Sequence, residues 1–95
     1  MALTVLATPS FSRAVKKLHE RDKKVVDKAV GEIAMNPGLG EERRGDLAGV
    51  FVHKFNINMQ RVWLDYRLRP DKAKPTELVL LSLGSHESFY AGLKR

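Results

Sequence analysis

The 95-residue sequence contains no cysteine. This excludes disulfides, a thiolate metal site and a cysteine nucleophile. It has no apolar run near the ~20 residues needed to span a bilayer. The opening "MALTVLATPS" has no basic segment ahead of an apolar one, so it does not read as an export signal, and a cytoplasmic location is expected. Three scattered histidines without an acidic cluster make no metal site, and no cofactor is expected. "GLGEERRG" is not a phosphate loop, because it follows a helical pattern and lacks the closing Lys-Ser/Thr. Acidic residues are in deficit, 11 against 17 Lys and Arg, for a net charge of +6. The excess leans to the second half, where residues 49–95 hold eight basic and four acidic side chains. That balance suits a polyanion or an acidic protein partner, with ordinary solubility charge as the alternative.

What is present is a pattern for one small α+β domain over residues 1–95. "ALTVLA" (2–7) reads as a strand bounded by "TPS". Ser10 is the expected cap of a first helix, with Phe11, Ala14, Val15 and Leu18 on its apolar stripe. Asp22 is the expected cap of a second helix, with Val25, Val26, Ala29, Val30 and Ile33 inward. "NPG" ends that helix. Residues 38–49, with four glycines, read as loop. Strands follow at 50–57, 60–68 and 77–83, with a turn around Asn58 and Met59, and a short helix is expected from Ser85. The order is β-α-α-β-β-β-α: a helical hairpin on one face of a small antiparallel sheet.

Side chains alternate across a strand. Val62, Leu64, Tyr66 and Leu68 belong under the helices with Phe51 and Phe55. Lys54, Arg61, Trp63, Asp65 and Arg67 then fall on the open face. The tight turn predicts that Lys54 and Arg61 are cross-strand neighbours. His86 and Tyr90, in "GSHESFY", can reach the rim of that face from the end of the last strand.

Two cations beside an aromatic ring form a seat for RNA: the cations hold a phosphate and the ring stacks on a base. Histidine moves a proton near neutral pH. RNA carries its own nucleophile, the 2′-hydroxyl, so such a site can cleave it without metal. Blander readings stand beside this one. His86, Phe89, Tyr90 and Leu93 are also a packing stripe, His53 between Phe51 and Phe55 reads as a core histidine, and Lys54 and Arg61 can be solvated sheet-face charges. An open-face Trp63 argues for a contact surface.

The strings "F..AVKKL", "NPG.G", "GDLAG" before "VFVHKF", "QRVWLDY" and above all "LGSHESFYAGLK" resemble the RelE/ParE superfamily of type II toxins over nearly the whole chain. The resemblance implies two branches. RelE-like members cleave mRNA in the ribosomal A site, and ParE-like members poison DNA gyrase without nuclease residues. By resemblance, Lys54 matches a strand lysine, Arg61 an arginine on the scissile phosphate, and Tyr90 a carboxy-terminal tyrosine that orients the RNA. His86 stands where YafQ-like relatives carry a proton-transferring histidine. Trp63, Arg67, His53, Lys94 and Arg95 join as RNA-binding candidates. A second strand lysine of the family falls near Val52 and is missing. The resemblance also implies a cognate antitoxin and mRNA on the ribosome as partners. Gyrase poisoning and a degenerate module that only binds antitoxin are the competing expectations.

Overall fold

A computed structural model describes residues 3–84. In chain order the elements are β1 (Thr4–Ala7), α1 (Pro9–Lys16), α2 (Glu20–Met35), a 3-10 turn (Pro37–Leu39), β2 (Glu41–Glu42), a second 3-10 turn (Gly45–Leu47), β3 (Val50–Ile57), β4 (Gln60–Arg69) and β5 (Glu77–Gly84). The helix expected from Ser85 lies outside the described residues.

The chain enters α1 through Thr8, not Ser10. The Thr8 hydroxyl accepts from the Phe11 N–H at 3.2 Å and donates to the Leu81 carbonyl at 2.7 Å. Pro9 then fills the first helical position, where its missing N–H costs nothing. Asp22 is also not a cap. It sits in the first turn of α2, after His19, and only 5% of its surface is exposed. Its carboxylate accepts from Asn58 Nδ2 at 3.1 and 3.2 Å. A helix start is thereby tied to the β3–β4 turn. The stripe of α2 is as expected, with Val26, Ala29 and Ile33 buried, and the helix stops before Pro37.

The sheet order is β1-β5-β4-β3-β2. β3, β4 and β5 form the expected antiparallel meander. β1 pairs with β5 in parallel, so the sheet is mixed rather than antiparallel throughout. β2 is a further departure from expectation: two glutamates inside the predicted loop pair with Phe51 and Val52. Both helices pack on one face. Phe11, Val26 and Ile33 meet Phe51, Ile57, Leu64, Tyr66, Leu68, Leu78 and Leu80 there, with Val15, Leu18, Phe55 and Val62 at the margin.

Tyr66 holds the loop after α2 against this core. Its hydroxyl donates to the Pro37 carbonyl at 2.7 Å and accepts from the Gly40 N–H at 2.9 Å. A Cβ on Gly40 would lie 2.6 Å from that hydroxyl and 2.9 Å from the Val52 carbonyl. Gly40→Ala is therefore expected to destabilise the fold by ~1–3 kcal/mol, through overpacking and the loss of a buried hydrogen bond. Urea unfolding measures this, and an unchanged midpoint would contradict it.

The β3–β4 turn places both Asn58 (φ 50°) and Met59 (φ 68°) in the left-handed region. Asn tolerates this and Met does not, yet Met59 is almost fully exposed. Met59→Gly is expected to stabilise by about 0.5–1 kcal/mol, read as a rise in Tm. A fall in Tm would show that the Met59 side chain contributes more than its backbone strain costs.

Candidate nucleic-acid interface

The face opposite the helices is built from β2, β3, β4 and β5. The two-residue turn pairs Ile57 with Gln60, which fixes Asn56 opposite Arg61 and Lys54 opposite Trp63. Lys54 and Arg61 are therefore diagonal neighbours, ~7–8 Å apart at Cα, rather than a direct pair. Both are exposed.

Trp63 is not the open stacking platform expected of it. It is 7% exposed and packs with Val52 in a small second core. Lys54 Nζ lies 4.5 Å from the indole centroid and the Arg43 guanidinium carbon 4.9 Å from it. Each cation is attracted to the ring, by ~0.5–1 kcal/mol when exposed and more when desolvated. Trp63 thus acts as the surface on which two cations rest. Val52, where the resemblance places a lysine, is part of the same apolar patch.

Arg43 was missed by the sequence reading. Its N–H donates to the Val50 carbonyl at 2.8 Å, which extends the β2–β3 pairing by one residue and puts Arg43 on this face. It lies in a glycine-rich stretch without periodicity. The available signal was the Arg43–Arg44 pair a few residues ahead of a strand.

Asp65 is 2% exposed beside this group. Burial pushes its carboxyl up to about 7, against the opposing charge of Arg43. Its Oδ1 has no hydrogen-bond partner among the described residues. A bulge between Asp65 and Tyr66 shifts the β4–β5 register, so that Asp65 faces Ser82 while Tyr66 faces Leu80. The intervening Leu81 is the residue whose carbonyl Thr8 takes up.

Arg67 is exposed on the same face and lies near Gly49. It lines an open cleft of about 400 Å³ with Phe51, Arg69 and Lys72 among its other walls. His53 is not part of the group. It projects to the helix side, half-buried, and stacks on Phe55 with centroids 5.5 Å apart. Burial holds its imidazole below the usual histidine range, opposed by Glu32 and reinforced by Arg61. The candidates His86, Tyr90, Lys94 and Arg95 lie outside the described residues. The structure therefore brings together Lys54, Arg61, Trp63 and Arg67, and adds Arg43 and Asp65.

A model of the ParE-like toxins of type II bacterial toxin–antitoxin systems matches residues 5–94. A search of curated proteins finds no match. Among solved structures, the toxin–antitoxin complex RelBE2 from Mycobacterium tuberculosis is similar at 27% identity, with 90% of this chain and 100% of that chain covered and a TM-score of 0.71. A free-state mutant of E. coli RelE is similar at 15% identity, with 100% and 98% coverage and a TM-score of 0.71. The intact E. coli RelBE toxin–antitoxin complex is similar at 13% identity, with 88% and 96% coverage and a TM-score of 0.68. At 15% and 13% identity, the two E. coli likenesses speak to the fold alone. Among the described residues, no helix is long and apolar enough to cross a membrane.

Proposed function

The chain belongs to the ParE-like toxins of type II toxin–antitoxin systems, and from that premise we propose that it is a RelE-like endoribonuclease that cleaves mRNA on the ribosome. The observation that supports this reading is the cationic group on the face opposite the helices. Lys54 and Arg61 stand exposed within one diagonal of each other, beside an indole that holds Lys54 in place. Cations converging on one patch suit a phosphodiester backbone.

The chemistry needs no group beyond the chain and its substrate. The RNA 2′-oxygen attacks the adjacent phosphorus while the 5′-oxygen leaves. A base takes the 2′ proton and an acid protonates the departing oxygen, giving a 2′,3′-cyclic phosphate and a free 5′-hydroxyl. Arg61 and Lys54 neutralise the charge that grows on the phosphate in the transition state. His86 serves as one of these two groups, general acid or general base, and Tyr90 positions the nucleotide. Gly84, two residues before His86 in the sequence, pairs with Trp63.

The partner is a cognate antitoxin, as in the complexes of the similar toxins. A net charge of +6 favours fast encounter with an acidic one.

The test uses purified toxin with ribosomes stalled on a defined mRNA, 5′ ends mapped by primer extension, and a gyrase cleavage assay in parallel. A-site cuts by the parent, lost in His86→Ala by ~10²–10⁴-fold with the fold intact, are expected. Intact mRNA with trapped gyrase–DNA complexes would place the protein with the gyrase poisons. His86→Ala cleaving at the parental rate would remove the histidine from the mechanism.

A further inference from the structure

The face holds a cation that its strands do not supply. β3 contributes Lys54, and the next residue on the same face, Val52, is buried against Trp63. The space over the indole is instead approached from the sheet edge by Arg43. We propose that Arg43 is a phosphate-binding residue of this site, gripping the same RNA strand as Lys54 and Arg61; the inference rests on the nuclease reading and adds a contact to it.

Two observations carry it. The first is position. Arg43 Cζ and Lys54 Nζ both lie within 5 Å of one ring centroid, so they are less than ~10 Å apart. Two cations at that spacing fit neighbouring phosphates of one strand. The second is preorganisation. The Arg43 backbone is pinned by its N–H to the Val50 carbonyl, and its guanidinium rests on a fixed aromatic surface. A planar fork held in this way loses less freedom on gripping a phosphate than a flexible lysine does.

The experiment is fluorescence anisotropy of a labelled, fully 2′-O-methylated RNA octamer, which cannot be cleaved, titrated with full-length toxin across a salt series. Arg43→Ala is expected to weaken binding by ~10-fold or more and to reduce the slope of log K against log salt by ~0.7, the value for one lost phosphate contact on a single strand. Arg43→Lys is expected to restore the slope and part of the affinity. Lys28→Ala, exposed on α2, is expected to change neither. Should Arg43→Ala not fold by circular dichroism, Arg43→Gln against Arg43→Lys gives the same comparison. Parental binding with an unchanged slope in the alanine and glutamine variants would overturn the proposal and leave the nuclease reading standing. A weaker affinity with the parental slope would show that Arg43 acts only through Trp63, and would also overturn it. A parent that binds no RNA at low salt would overturn the proposal, while the nuclease reading is decided separately by cleavage on programmed ribosomes.

Discussion

Replacing Arg61 by alanine is expected to slow A-site cleavage ~10²–10³-fold while leaving the melting temperature within about a degree of the parent. The two halves of that expectation come from one observation. Arg61 is exposed near the β3–β4 turn, opposite Asn56, and contributes nothing to either hydrophobic cluster. Its removal therefore leaves packing untouched. What it does offer is a cation on a hairpin whose turn is held to α2 by the Asn58–Asp22 hydrogen bonds, and in the proposed mechanism that charge stabilises the pentacoordinate phosphate. An interaction made mainly in the transition state lowers kcat more than it raises KM. Single-turnover kinetics on programmed ribosomes separate the two. A variant whose KM rises while kcat is unchanged would make Arg61 a docking residue only.

Asp65→Asn is expected to change how stability depends on pH. In the unfolded chain the carboxyl titrates near 3.8, and in the folded chain near 7. The folded state therefore holds a proton that the unfolded state releases between those values. The resulting stability is fully present below pH ~4 and is lost as pH rises through 7. For Asp65 alone the loss between pH 5 and pH 8 is of the order of 2 kcal/mol. Asparagine cannot ionise, so the variant lacks this loss. Urea unfolding at pH 5 and pH 8 is expected to show the variant gaining on the parent by about that amount at the higher pH. Parallel profiles for the two proteins would mean that Arg43 and its surroundings fully compensate the ionised carboxylate.

The meander was legible in the sequence because alternation is a two-state code: Leu64, Tyr66 and Leu68 point one way, Trp63, Asp65 and Arg67 the other. Alternation gives the face and not the depth. Trp63 and Asp65 sit on the predicted side, yet both are buried, because Val52, Arg43 and Lys54 gather over the indole. The register was recoverable from the turn. A two-residue loop at Asn58–Met59 pairs Ile57 with Gln60, and counting back from there puts Lys54 opposite Trp63 rather than Arg61. The helix entry could not be read locally. Thr8 outcompetes Ser10 because its hydroxyl also reaches Leu81, 73 residues away, at the bulge in β5. β2 left no trace because two adjacent glutamates have no period. Arg43 was lost with it, since its place depends on that pairing. Asp22 looked like a cap because carboxylates suit helix starts, but its partner is a turn residue 36 positions on.

The most direct measurement of the central claim substitutes one nucleotide. Ribosomes are programmed with two mRNAs that differ only at the A-site nucleotide on the 5′ side of the cut, ribose in one and 2′-deoxyribose in the other. The account predicts cleavage of the first by parent toxin, with a cyclic phosphate and a 5′-hydroxyl at the new ends, and no cleavage of the second. Equal cleavage of both, or of neither, would contradict it.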